Sequence, residues 1–268
     1  MPFADSHHCR IHFEVHGDAG APAVALAHGR GGNAAAWFQQ VPALIAAGYR
    51  VVVFDHRCFG RSVCPPEHFD RAFFADDLAA VLDAAGVARA AIVCQSMGGW
   101  TGLRLAVERP ERVRALVLSN TPAGVSTPSA NAATVEARKA FATRGIAASA
   151  LAEDFPRREP ALAFLYAQLG GLNLQVNDAL QSRSPAATSS EELAALRLPV
   201  LLVTSDHDAI FPPAAIREVA ALIPGAEFRQ LPIAGHSPYF ETPAAFNAVV
   251  LDFLARHVDP QEPDGLIA

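Results

Sequence analysis

Ser96 is the residue of this chain best placed for covalent chemistry. It follows the apolar run Ile92-Val93-Cys94 and Gln95, and Met97-Gly98-Gly99 comes immediately after it. A strand that turns at once into a glycine-bearing helix lifts the intervening hydroxyl clear of the backbone. The first N–H groups of a helix have no partner inside it, so they can stabilise an anion forming beside that hydroxyl. Gly98, Gly99 and Gly102 fall in the first turns of the expected helix, where each costs about 0.5–1 kcal/mol relative to alanine. Three within one short stretch imply that another part of the chain approaches this backbone closely. A tightly packed strand–helix junction without chemistry is the plainer alternative.

A serine hydroxyl is a weak nucleophile until a base takes its proton, and histidine titrates near the working pH. The histidine in turn needs a carboxylate to hold its tautomer and to stabilise the imidazolium. In an open parallel sheet, ligands gather at the carboxyl ends of the strands. Four segments arrive there with suitable groups: Ala27-His28-Gly29-Arg30-Gly31-Gly32-Asn33, Ser96 itself, Thr204-Ser205-Asp206-His207-Asp208-Ala209-Ile210-Phe211-Pro212, and Ala234-Gly235-His236-Ser237-Pro238. The first could be read as a phosphate cradle, but the Lys-Ser/Thr ending of a P-loop is absent. Ser96, Asp208 and His236 supply nucleophile, acid and base in that chain order.

That order, with five motifs in sequence, resembles the α/β-hydrolase superfamily, and in particular its small esterases, enol-lactonases and cofactor-free haloperoxidase-like members. The motifs are His28-Gly29 with its glycine-rich extension, Asp55-His56-Arg57-Cys58-Phe59-Gly60-Arg61-Ser62, the elbow around Ser96, Asp208 to Pro212, and Gly235-His236. Two positions depart from the pattern. Cys94 stands at the first glycine of Gly-x-Ser-x-Gly, and Cys58 replaces a glycine in the Asp55 loop. Packing, rather than redox or catalytic work, is the reading preferred for Cys94.

The resemblance implies that Ser96 attacks an acyl carbon while His236 takes its proton and later activates water, with Asp208 orienting His236. It implies an oxyanion hole from the backbone N–H groups of Arg30 and Met97, and substrate contacts at Gly29 and Trp100. Asp206 is the rival acid, two residues earlier on the same strand end, and the spacing to Pro212 favours Asp208. Asn120 occupies a place where some relatives carry their acid, but an amide cannot hold that charge. His28 is expected to support the oxyanion loop, His207 to face solvent, and Arg30 to contribute its backbone with a solvated side chain. Trp100 either lines the pocket or is buried beneath a lid. Phe164, Tyr166 and Leu169 are expected to pack into the core.

The implied activity is a serine hydrolase cleaving a small ester or lactone through an acyl-serine, without metal or organic cofactor. Carbon–carbon bond hydrolysis, a perhydrolase or haloperoxidase-like reaction, and a ligand receptor of the same fold are the alternatives. Ser237 after His236, where several carbon–carbon hydrolases carry an aromatic residue, lowers the first. Dehalogenases and epoxide hydrolases of this fold use an aspartate nucleophile, which Ser96 argues against.

The elements that must position these groups follow from periodicity. Strands are expected at Ile11–His16, Ala23–Ala27, Arg50–Phe54, Ala90–Cys94, Ala115–Ser119, Val200–Thr204 and Glu227–Leu231. Several are continuous apolar runs, as in strands buried on both faces. Helical patterns lie near Ala35–Ala47, Phe73–Ala85, Trp100–Glu108, Pro213–Leu222 and Pro243–His257. The alternation predicts an α/β fold with a mostly parallel sheet of roughly eight strands covered by helices on both faces. Between Val125 and Ala195 it gives way to helices alone (Ala132–Phe141, Pro160–Leu169, Glu191–Leu196), broken by Gly170-Gly171 and the Ser/Pro-rich run 184–190. The expected division is a core of 1–124 and 196–268 with a helical cap of 125–195. The tail from Asp259 is expected to fray.

Composition narrows the partners. With 51% hydrophobic and 18% charged residues and a net charge of −6, the chain reads as one large globular domain with room for an insertion, and the resemblance implies a small-molecule ester or lactone as its substrate. Nucleic acid and anionic membranes are poor partners for it. No signal core or spanning segment is evident, so a cytoplasmic location is expected. All four cysteines are accordingly expected to be thiols. His7-His8-Cys9 is read as a flexible terminus rather than a metal tract. The oligomeric state is left open, a homodimer being one option.

Overall fold

The computed structural model of the chain describes residues 2–173 and 187–259; the first part of the expected break, 184–186, and the tail from 260 lie outside them. The described strands are β1 (Phe3–Ser6), β2 (Cys9–His16), β3 (Ala23–Ala27), β4 (Arg50–Phe54), β5 (Ala90–Gln95), β6 (Val113–Ser119), β7 (Val200–Ser205) and β8 (Glu227–Leu231). They form one sheet in the order β1-β2-β4-β3-β5-β6-β7-β8. The β1–β2 and β2–β4 pairs are antiparallel and all the others parallel.

Strand alternation divides the core into two layers. Val24, Leu26, Val51, Val53, Val93 and Val117 join one cluster, whereas Ala25, Val52, Phe54, Ile92, Cys94 and Leu118 join the other. The first layer is closed by α1 (Val41–Ala46) and α11 (Pro243–His257) through Leu44, Phe246, Val250 and Phe253. The second is closed by α2 (Phe74–Ala84), α3 (Gly98–Glu108) and α9 (Pro213–Leu222) through Leu78, Leu103 and Ile216. Burial on both faces is why these strands read as apolar runs. The chain leaves β3 for β4 on one side and reaches β5 on the other, so the order reverses at β3 and opens a crevice at its carboxyl end.

Between β6 and β7 come α4 (Pro128–Arg144), α5 (Ile146–Ala150), α6 (Phe155–Arg158), α7 (Pro160–Gly171) and α8 (Ser190–Ala195), and α10 (Pro238–Glu241) precedes α11. Thr127 caps α4 by accepting the Ala130 N–H, with Pro128 in the first turn, so this helix starts earlier than its periodicity suggested. Ser189 and Glu192 form a capping box on α8.

Four expectations need correction. The N-terminus is a hairpin: His7 and His8 take φ 42° and 65° as the turn between β1 and β2, the positive-φ pair that two-residue hairpins favour. The helix expected over Ala35–Ala47 splits into a 3₁₀ turn at Ala34–Trp37 and α1, because Pro42 has no N–H and fits only a first helical turn. The cysteines are not all thiols, since Cys9 and Cys64 are joined in a disulfide with Cα atoms 4.5 Å apart. An antiparallel bridge between Arg10 and Val63 sets these flanking residues opposite one another, a pairing that spacing along the chain does not reveal. Phe164 is 67% exposed although Tyr166 and Leu169 are buried; two positions along a helix is about 200° around it.

Candidate active site

Ser96 leaves β5 with φ 49°, a left-handed conformation that is uncommon outside glycine and marks a tight, strained turn. Its N–H donates to the Ser119 carbonyl on β6 at 2.9 Å, and its carbonyl accepts from Gly99 N–H at 2.9 Å. Side chains are excluded where the helix meets the sheet. A Cβ at Gly98 would stand 2.1 Å from the Ala27 carbonyl oxygen, and one at Gly102 would stand 2.3 Å from Cys94 Sγ. Glycine in α3 therefore makes room for the thiol at the motif's missing glycine. Cys94 is fully buried, and burial pushes its thiol far above the ordinary range; it packs there as a small apolar side chain.

The loops after β7 and β8 bring Asp208 and His236 together. His236 Nδ1 lies 3.0 Å from Asp208 Oδ2 and 3.1 Å from Oδ1. Asp208 Oδ1 also accepts the Ile210 and Phe211 N–H groups at 2.8 and 2.9 Å, and Oδ2 accepts Asn120 Nδ2 at 2.9 Å. Three fixed donors hold the carboxylate in place, leaving the imidazole Nδ1–H to complete its shell. The amide of Asn120, at φ 52°, also donates to Ser205 Oγ at 2.7 Å, and that hydroxyl donates to the Gly235 carbonyl. Asn120 thus ties the β6 end to both loops. Asp206 points away, accepting Gln230 Nε2 at 2.6 Å on the exposed side, and His207 is exposed.

The loop after β3 is held by a buried histidine. His28 Nε2 accepts the His56 N–H at 3.0 Å, so its proton resides on Nδ1, which donates to the Gly29 carbonyl at 2.8 Å. Burial lowers the pKa of His28 and favours this neutral form. The Gly29 carbonyl also accepts from Gly32 N–H at 3.0 Å, and the Arg30 N–H lies on the opposite edge of the same peptide plane. Gly29 packs beneath the site: a Cβ there would stand 1.9 Å from Gln95 Oε1 and 3.2 Å from Ser96 Cβ. Asp55 braces the loop from β4, accepting Ala34 N–H at 2.7 Å and Arg61 N–H at 2.9 Å. Burial pushes its carboxyl up, but His12 and these N–H groups hold it below its ordinary value. Cys58, at φ 65°, occupies a conformation suited to the glycine it replaces.

Ser96 opens on a cavity of about 380 Å³. Arg30, Met97, Trp100, Ile210 and Phe211 share its wall, with α4 supplying Thr134, Arg138 and Phe141. Of the expected site residues, Trp100 lines this space, and Arg30, half-buried, lines it too rather than standing fully in solvent. The Phe211 ring centroid is 5.9 Å from that of His236, and Gln95 Nε2 donates to the His236 carbonyl at 2.9 Å. The residue before the serine thus anchors the histidine loop. No hydrogen bond joins Ser96 Oγ to the His236 ring among the described residues; such contacts often tighten only when substrate is bound.

Sequence reading missed the second supporting layer. Buried Glu241, on α10, accepts Ala152 N–H at 2.8 Å, Gly235 N–H at 3.0 Å and Ser237 N–H at 3.2 Å. Tyr166 on α7 hydrogen-bonds Ser237 at 2.8 Å. A Cβ at Gly235 would stand 2.3 Å from Ala152 N, so the segment before α6 rests directly on the histidine loop. The only sequence signal was an acidic residue five positions beyond His236, inside an otherwise apolar stretch.

Comparison with known proteins identifies the family of the fold. A family model described as the alpha/beta hydrolase fold matches residues 22–243. A proposed carbamate hydrolase, RutD, of Variovorax paradoxus is 32% identical over 274 residues, covering 94% of this chain and 99% of that protein. The esterase RhEst1 from Rhodococcus sp. ECU1013 superposes with a TM-score of 0.81 at 26% identity, covering 96% of this chain and 98% of its own. The enol-lactonase from Burkholderia xenovorans LB400 does so with a TM-score of 0.76 at 28% identity, covering 95% and 100% respectively.

Proposed function

Because the chain belongs to the alpha/beta hydrolase fold family, we propose that this hydrolase is a serine enzyme cleaving a small carboxylic ester or lactone through an acyl-serine intermediate. The observation that carries the reading is the positive-φ turn at Ser96, which opens on the same cavity as Phe211, the ring neighbour of His236. Similarity to an esterase and an enol-lactonase supports the substrate class.

In the proposed sequence, Ser96 Oγ attacks the acyl carbon as His236 Nε2 takes its proton. Asp208 holds Nδ1–H toward itself and stabilises the imidazolium. The oxyanion is received by the N–H groups of Met97, at the start of α3, and of Arg30, on the peptide oriented by His28. One such donor is worth about 10²–10³ in rate. The imidazolium then protonates the leaving alcohol, and water, deprotonated by His236, releases the acid. These steps use no metal or organic cofactor. Residues 125–195 act as a cap over a core of 1–124 and 196–268, shielding the acyl-enzyme from bulk water.

A carbamate offers the same acyl carbon to the same nucleophile, and the relative named for that activity makes it a fair competitor. A panel of short-chain p-nitrophenyl esters, lactones and carbamates, with the acyl-enzyme trapped for mass spectrometry, tests the reading. We expect a mass adduct on Ser96, and Ser96→Ala to lower ester turnover by at least about 10³-fold while the chain stays folded. Retained turnover in that variant would remove Ser96 from the mechanism.

A further inference from the structure

The turn that carries the Arg30 N–H is built largely from glycine. Gly32 N–H donates to the Gly29 carbonyl at 3.0 Å, which makes Arg30 and Gly31 the central residues of a β-turn. The peptide plane between Gly29 and Arg30 presents the Gly29 carbonyl at one edge and the Arg30 N–H at the other. His28 Nδ1 holds the carbonyl edge at 2.8 Å. The exit through Gly31 and Gly32 has no Cβ to restrict it, so the contact at the entry does not by itself fix where the Arg30 N–H points. An anchor is needed at the exit.

That anchor comes from the helical stretch between β6 and β7. Asn173, two residues past the end of α7, donates Nδ2 to the Gly32 carbonyl at 2.9 Å. Its Oδ1 accepts the Gly60 N–H, from the Asp55 loop, at 3.0 Å. A flipped amide would set oxygen against the Gly32 carbonyl and NH₂ against the Gly60 N–H, so these partners fix its orientation. Asn33 makes the return contact. Its Nδ2 donates to the Leu169 carbonyl in the last turn of α7 at 2.9 Å, and its Oδ1 accepts the Ala35 N–H at 3.1 Å. The backbones are close as well. A Cβ at Gly170 would stand 3.2 Å from the Gly31 carbonyl oxygen, and one at Gly31 would stand 3.2 Å from both Tyr166 Oη and Ile146 Cγ2. The turn therefore lies against α5 and α7, and the half-buried Asn173 joins it to the loop that Asp55 braces.

We propose that Asn173 is a positioning residue for the oxyanion hole: by holding the exit of the Gly29–Gly32 turn, it directs the Arg30 N–H at the anion forming on the acyl group. The hole is then complete only while the end of α7 stays docked on the turn. This rests on the acyl-serine reading above, in which the Arg30 N–H is one of two donors. Losing an interaction made only in the transition state lowers kcat and leaves KM nearly unchanged.

The test compares Asn173→Ala and Asn173→Asp with the wild type on a short-chain p-nitrophenyl ester. The aspartate variant retains an acceptor for the Gly60 N–H but sets an oxygen against the Gly32 carbonyl. We expect kcat to fall by at least about tenfold in both, part of the roughly 10²–10³ that one donor is worth, with KM within about threefold of wild type. A trifluoromethyl ketone reads the hole directly: Ser96 Oγ bonds its carbonyl carbon, the hydroxyl proton passes to His236, and the carbonyl oxygen becomes the anion. Its inhibition constant should rise by at least about tenfold in both variants. Melting curves establish that each variant is folded, and the aspartate, equal in size to asparagine, disturbs packing least. Values of kcat and of the inhibition constant within about twofold of wild type in both variants would overturn the proposal. So would a loss confined to the alanine variant, or a rise in KM as large as the fall in kcat. A wild type whose Ser96 is labelled by neither ester nor ketone would instead overturn the serine mechanism beneath it.

Discussion

Two carboxylates two residues apart on one strand end meet different fates, and the difference is geometric. Asp208 accepts three protein N–H donors and faces the His236 ring, whereas Asp206 accepts a glutamine amide on the exposed side. Asp208→Asn would turn one acceptor oxygen into a donor against those N–H groups and leave the imidazole in the wrong tautomer. We expect kcat for a p-nitrophenyl ester to fall about 10³–10⁴-fold, with Asp206→Asn within about threefold of wild type. Steady-state kinetics of the two variants checks this, and the reverse ranking would reassign the acid. The sequence singled out Asp208 as candidate acid by its spacing to Pro212, and its carboxylate lies beside the His236 ring. The part played by Asn120 was not legible there, because an amide at that position announces no partner until the β6 and β7 ends are side by side.

At the scale of elements, α10 matters beyond its length. Its Glu241 gathers N–H groups from both sides of His236 and from Ala152, a residue distant in sequence. One carboxylate therefore links the histidine loop to the helical stretch between β6 and β7. Burial raises its pKa despite those three donors, a sign of how dry the junction is. Glu241→Gln retains the size but sets an NH₂ group against an N–H donor. We expect a loss of about 1–3 kcal/mol in stability together with at least about a tenfold fall in kcat, whereas Tyr166→Phe, which removes one hydrogen bond to Ser237, should cost about 1 kcal/mol. Denaturant unfolding and kcat measured on the same preparations distinguish them. Full activity in Glu241→Gln would show that the histidine loop does not need this support.

For the molecule as a whole, the disulfide ties the N-terminal hairpin to the loop that follows β4. Cys9 and Cys64 are separated by 55 residues, and closing a loop of that size contributes about 2–4 kcal/mol in typical cases. For a domain of this size, that corresponds to a fall in melting temperature of about 5–15 °C on reduction. Melts with and without dithiothreitol should show this for the wild type, while Cys9→Ser should start low and ignore the reductant. Identical melts for wild type and variant would mean that the crosslink contributes nothing. No described helix is long and apolar enough to cross a membrane.

The linear chain was sufficient for the architecture, because strands buried on both faces must be apolar along their whole length and amphipathic helices must repeat every three to four residues. It was sufficient also for the elbow at Ser96 and for the order of the chemistry-bearing segments, since glycines at a strand–helix turn record a close approach that side chains would forbid. What required the folded molecule was every relation between distant segments at the sheet's carboxyl edge: the Asn120 and Glu241 supports, the Cys9–Cys64 bond, and the asparagine contacts that join the end of α7 to the loop after β3. Such relations depend on which strand ends lie side by side, and the strand order places β3 between β4 and β5, an adjacency that no local pattern encodes.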